Sequence, residues 1–224
     1  AKYAGGIADD MLTATLLAIG DDTLRRSCAV YLAQFIQRME DPNSAVGVLS
    51  ETLLKGNLNP AQKATLVTLL SACPTPESLD RIVGLQNESF PALKDAVVSA
   101  LTSWPDSTVW KPLLNVFEAS DAPAHRSQAL RALLEIQMEE NPRATADLAR
   151  RYEALFKAAK SNEEKKMILA ALAQAAHPDT LALALSQLDN PAVAADARRA
   201  AERIAASLEN THPKEAVKAP NSAQ

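Results

Sequence analysis

Apolar residues recur at three- and four-residue spacing in one segment after another, and the segments come in pairs. That spacing gathers apolar side chains on one face of an α-helix. The pattern predicts six helical hairpins. Their first helices fall near 7–19, 43–55, 75–86, 106–119, 143–160 and 178–189, and their second helices near 22–39, 59–72, 89–103, 122–138, 162–176 and 191–208. Start signals support the division. Asn59-Pro60, Thr75-Pro76 and Asn190-Pro191 each place a capping side chain before a proline at the first helical position. A proline there lacks only an N–H that would be unpaired anyway. Trp104-Pro105-Asp106-Ser107 and His177-Pro178-Asp179-Thr180 are turn-then-cap sequences of the same kind.

The second helices align on one another. Arg25, Lys63, Lys94, Arg126 and Lys165 each stand near the start of one, at intervals of 38, 31, 32 and 39 residues. Apolar pairs follow each: Cys28/Leu32, Leu66/Leu70, Val97/Leu101, Ala129/Leu133 and Ile168/Leu172. A period in the thirties with two helices per unit is the signature of an α-solenoid. The basic row is expected to tie the stack together by reaching turn carboxylates or carbonyls of adjacent hairpins. The sixth second helix differs. Ala194 replaces the basic residue, and Arg198, Arg199, Glu202 and Arg203 crowd the helix, as suits a polar terminal cap.

The motif Asp121-Ala122-Pro123-Ala124-His125-Arg126, followed by Ala129-Leu130 and Leu133-Leu134, resembles the turn and second helix of a HEAT repeat. Asn190-Pro191-Ala192-Val193 with Ala197 is similar, and Pro112 resembles the proline that kinks the first helix of many HEAT units. The resemblance covers about residues 7–209. It implies an all-α fold, a right-handed α-α superhelix of about six hairpins. Segments 104–126 and 163–178 look like HEAT portions of large, often exported, bacterial multidomain proteins, some of which carry carbohydrate-active or haem-binding modules. On this division, 1–6 is an N-terminal extension and 210–224 a disordered or linker tail rich in Ala, Pro and Lys. The missing initiating Met and that tail lead us to expect a larger parent protein and a periplasmic or secreted location.

Composition narrows the choice further. Apolar residues make up 47 %, enough for a core, yet aromatics are only 4 % and Ala and Leu dominate, which favours helix over sheet. Only six glycines occur, the last at Gly84, too few for the turns of a sheet or a nucleotide-binding α/β protein. The net charge of −4 argues against a non-specific nucleic-acid surface. No 18-residue apolar run without charges is present, so no membrane insertion is expected.

Candidate chemistry is sparse. His125, His177 and His212 have no second ligand at helical metal-binding spacing, and no His-Glu dipeptide of the kind used by HEAT-like metal hydroxylases occurs. Cys28 and Cys73 lack zinc spacing and read as buried reduced thiols, with a disulfide between neighbouring hairpins as the alternative. Asp21-Asp22, Glu139-Glu140 and Glu163-Glu164 lie at helix ends, where solvation and the helix dipole account for them. Trp104, Asp106 and Trp110 superficially match the aromatic-plus-carboxylate sites of HEAT-like DNA glycosylases, but packing between repeats explains them better.

The surface of the second helices opposite the core carries Val30, Thr68, Ser99, Arg131 and Ala170, then Gln34, Ala72, Ser103, Glu135 and Gln174. These rows are small and nearly neutral, whereas phosphate recognition needs several cations. The expected function is a non-catalytic interaction scaffold, binding a protein, a peptide or another domain of the parent chain on the concave face. Gln34, Thr68, Ser99, Ser103, Arg131, Glu135 and Gln174 are the candidate contacts. The alternative is a spacer that positions a catalytic domain of a larger exported enzyme. No cofactor, metal, catalytic residue or nucleic-acid partner is expected, and the chain is expected to be a monomer.

Overall fold

The computed structural model describes residues 11–140 and 145–209. The expected extension at 1–6, the tail at 210–224 with His212, and the starts of the helices placed at 7–19 and 143–160 lie outside the described residues. The chain is all-helical. Among the described residues there are twelve α-helices, two short 3₁₀ turns and no strand. They are α1 (11–18), α2 (Asp22–Ile36), α3 (Val46–Lys55), α4 (Pro60–Ser71), α5 (Pro76–Gly84), α6 (Pro91–Thr102), α7 (Trp110–Ala119), α8 (Pro123–Glu140), α9 (Ala146–Ala158), α10 (Asn162–Leu172), α11 (Pro178–Ser186) and α12 (Ala194–Leu208). The 3₁₀ turns Pro42–Ala45 and Ser107–Val109 lead into α3 and α7. Each helix falls within about a turn of its expected position.

Local chemistry explains the starts. Asn59 Oδ1 accepts from the Gln62 N–H while Gln62 reaches back to the Asn59 N–H, with Pro60 at the first position of α4. Thr75 caps α5 and Ser161 caps α10 with Glu164 as its reciprocal partner. His177 itself caps α11, its Nδ1 accepting from the Asp179 N–H at 3.2 Å. Pro112 lies in the first turn of α7, directly after the 3₁₀ turn, so the change of winding falls at the helix start.

One expected cap is corrected. Asn190 does not cap α12: its Oδ1 accepts from the Ala192 N–H, closing a turn over 191–193, and the helix begins at Ala194. Val193 intervenes with φ −130° and ψ 2°, outside helical geometry, its side chain buried.

The chain divides into two compact units, Ala1–Val116 and Phe117–Gln224. In the first, α4 packs between α2 and α6, and α3 packs on α4 and α5. In the second, α10 packs between α8 and α12, while α9 and α11 pack together on the other side of α10. Within each unit, second helices therefore neighbour second helices and first helices neighbour first helices.

The aligned apolar pairs carry the cores. Leu66/Leu70, Val97/Leu101, Ala129/Leu133 and Ile168/Leu172 are all buried. Burying one Leu or Ile side chain contributes about 1.5–3 kcal/mol. The pair Cys28/Leu32 departs from the rest, both residues being only half-buried. The difference extends along the whole lateral row of α2. Leu24, Tyr31 and Phe35 are 55 %, 73 % and 59 % exposed. By contrast Leu66, Leu69 and Cys73, aligned with Cys28, Tyr31 and Phe35, are buried, as are Leu93, Val97 and Ala100, aligned with Leu24, Cys28 and Tyr31. Val193, Ala197, Ala200 and Ile204, aligned with all four of Leu24, Cys28, Tyr31 and Phe35, are buried too. Gln62 and Trp104, aligned with Leu24 and Phe35, are half-buried.

Candidate binding surface

The basic row is built from the helix starts. Arg25 is buried at the first turn of α2, where its guanidinium donates to the Ile19 carbonyl at 2.6 Å and to Thr65 Oγ1 of α4 at 3.3 Å, and pairs with Asp22. Lys63 reaches Glu88, in the turn before α6, at 2.8 Å. Arg126 is the most heavily bonded. Nε and Nη2 donate to both carboxylate oxygens of Glu164 at 2.9 and 2.8 Å, Nη2 also donates to the Ala158 carbonyl at 3.0 Å, and Nη1 donates to the Phe117 carbonyl. The guanidinium lies 4.4 Å from the centroid of the Phe117 ring. Three of the five basic residues thus join successive hairpins within a unit. Lys94 is exposed, and among the described residues neither it nor Lys165 forms an ion pair.

Burial alone would raise the Glu164 carboxyl. The hydrogen bonds from Arg126 and from the Lys160 and Ser161 N–H groups, with the Arg126 charge, outweigh it and hold the group below its ordinary value of 4.5. Burial, with Asp41 nearby, pushes the Cys73 thiol up to about 11. Cys73 Sγ lies 3.2 Å from the Pro42 carbonyl, and Cys28 and Cys73 are both free thiols. The expected burial therefore holds for Cys73, while Cys28 is only half-buried.

On this framework the candidate contact residues separate by unit. In the first, Gln34, Ser99 and Ser103 are exposed and Thr68 is half-buried, its hydroxyl donating to the Ala64 carbonyl at 3.2 Å. Ser103 Oγ donates to the Ser99 carbonyl at 2.9 Å. In the second, Arg131, Glu135 and Gln174 are exposed, and Gln174 Oε1 accepts from Arg203 of α12 at 3.1 Å. Ala72 is buried, so the exposed row is interrupted at α4. Within each unit these side chains lie opposite the buried apolar pairs of their helices, a small and sparsely charged surface suited to backbone and apolar contacts.

Sequence reasoning missed a second surface. Ala146, Ala149, Arg150, Glu153, Asp179, Ala182 and Leu183 line an open cleft where α9 faces α11. Its signal was the small residues at Ala146, Ala149 and Ala182, which let two first helices leave a gap. Among the described residues, no group of three or more His, Cys, Asp or Glu side chains is arranged to hold a metal ion. No described helix is long and apolar enough to cross a membrane. Compared with known proteins, the all-helical chain matches no family model and no curated protein.

Proposed function

We propose that the chain is a HEAT-like right-handed α-solenoid acting as a non-catalytic interaction scaffold. It takes up a protein, a peptide or a neighbouring domain on the exposed, concave side of its second helices. The observation that carries this reading is the combination at α8. Arg126 is fixed by hydrogen bonds to α7, α9 and α10, while Arg131 and Glu135, further along the same helix, stand exposed with no ion pair among the described residues. A rigid frame that presents adaptable polar side chains loses little conformational entropy on binding. The neighbour-to-neighbour packing of second helices within each unit supports the solenoid part.

The test is co-purification from lysate and envelope fractions with the intact chain as bait, beside the Arg131→Ala/Glu135→Ala double variant. Specific recovery of one protein by the native chain, lost with the variant, is the expected result. Recovery that the variant leaves unchanged, or recovery of nucleic acid alone at low salt, contradicts the reading.

A further inference from the structure

The lateral row of α2 is Leu24, Cys28, Tyr31 and Phe35, extended at one end by the N-cap Asp21, whose Oδ1 accepts from the Thr23 and Leu24 N–H groups, and at the other by Arg38 in the turn after the helix, all spaced alternately by three and four residues. That is the spacing of a helix–helix seam. At the aligned positions Leu66, Leu69 and Cys73 in and after α4 and Leu93, Val97 and Ala100 of α6 are buried, while Gln62 and Trp104, aligned with Leu24 and Phe35, are half-buried; the neighbour on one side of α4 is α2 and on one side of α6 is α4. In α2 the three large apolar members are more than half exposed. The row is therefore a helix-packing face that carries its apolar residues without a described helix upon it. Beside it, Met11 and Leu12 of α1 are exposed, and Leu12 and Phe35 both line one apolar pocket with Leu32, Ile36 and Met39.

The row's own symmetry identifies the occupant. Set antiparallel against itself, it brings Leu24 against Phe35 of the partner subunit, Cys28 against Tyr31 of the partner subunit, and Asp21 against Arg38 of the partner subunit. Apolar residues meet apolar residues at the centre, and opposite charges meet at both ends. Among the described residues Arg38 forms no ion pair, and it is exposed. The other end of the chain is a poor alternative occupant. The solvent side of α12 carries exposed Arg198, Arg199 and Arg203, which would be stripped of water against Tyr31 and Phe35. An isologous contact closes on itself as a dimer, whereas a head-to-tail contact closes only where its rotation completes a ring.

We propose that the α2 face is a homodimer interface, in which two copies of the chain pair their α2 helices antiparallel about a two-fold axis. The assembly replaces the monomer expected from the sequence and uses a different face from the one proposed for partner binding, so either idea can fail without the other.

The test is sedimentation equilibrium of the full chain over a wide concentration range, with thermal melts in parallel. A reversible dimer is expected, with Tyr31→Glu weakening it by about 100-fold or more, as for a central interface aromatic. Because Tyr31 is exposed, the melting curve of the dilute variant stays close to that of the native chain. Register is read from two further variants, Leu24→Cys/Cys28→Ser and Phe35→Cys/Cys28→Ser, mixed and oxidised with copper phenanthroline. Antiparallel pairing gives a mixed disulfide dimer from the two together and little from either alone. A chain that stays monomeric at all concentrations, a dimer indifferent to Tyr31→Glu, or cross-links between like variants only would each overturn the proposal.

Discussion

The guanidinium of Arg126 meets the carboxylate of Glu164 side-on, with Nε–Oε1 at 2.9 Å and Nη2–Oε2 at 2.8 Å, joining the start of α8 to the start of α10. Both side chains are well buried, 6 % and 14 % exposed. The same guanidinium holds the Phe117 and Ala158 carbonyls near the ends of α7 and α9, so one side chain fastens four helices. Removing one member leaves the other desolvated and unpaired. Arg126→Ala and Glu164→Ala should each cost about 3 kcal/mol. The double variant should cost clearly less than the sum, because both remove one shared interaction. Arg126→Lys should recover only part of the loss, since an ammonium cannot form the paired bonds. Urea denaturation of the four variants and the native chain checks this, and strictly additive losses would contradict it.

Glu164 also sets an acid limit. Its folded-state pKa lies below the ordinary 4.5, so its stabilising effect is present above that value and is lost as pH falls through the folded-state value. Glu164→Gln should therefore be less stable than the native chain at pH 7, with the gap closing in acid. Melting temperatures of both from neutral pH down to about pH 3 read this directly. A gap that stays constant over the range would mean that the carboxylate charge contributes nothing there.

Two glycines separate backbone entropy from steric demand. Gly47 lies in the first turn of α3, and a Cβ there meets nothing within 4 Å. Gly47→Ala should stabilise by about 0.5–1 kcal/mol. Gly56 ends the same helix, and its Cβ would stand 2.6 Å from the Thr52 carbonyl oxygen and 2.9 Å from Leu58 Cγ. Gly56→Ala should destabilise by about 1–3 kcal/mol. Chemical denaturation that gave the two substitutions the same sign would contradict this assignment.

Cys73 should resist alkylation in the folded chain. It is fully buried, and with its pKa near 11 it is almost entirely protonated at pH 8. Iodoacetamide followed by peptide mass spectrometry should label Cys28 well before Cys73, and both equally in denaturant. Equal rates in the native chain would show that Cys73 is reached by solvent.

Helix positions were legible in the sequence because their signals are local. Asn59-Pro60-Ala61-Gln62 contains its whole capping box within four residues, and Leu66/Leu70 announce a buried face by spacing alone. Asn190-Pro191 misled for the same reason in reverse: the same dipeptide closes a turn when the third residue on, Val193, is drawn inward. Partners across hairpins were not legible. Nothing in the sequence tells Lys63, which reaches Glu88, from Lys94, which is exposed with no ion pair among the described residues. Likewise Ala72 matched the exposed row by register yet is buried, and Cys28 and Leu32 matched the buried pairs yet are only half-buried. In both cases the neighbouring helix, not the residue, decides. The same holds for the cleft where α9 faces α11.

The scaffold reading is tested most directly by site-specific photo-cross-linking in lysate of the source organism. A photoreactive side chain would be placed in turn at Gln34, Ser99, Arg131, Glu135 and Gln174 on the second helices, and at Glu153 and Leu183 in the α9–α11 cleft. The account predicts adducts to one common protein from the first set and none from the second. Adducts confined to Glu153 and Leu183, or none at any position, would contradict it.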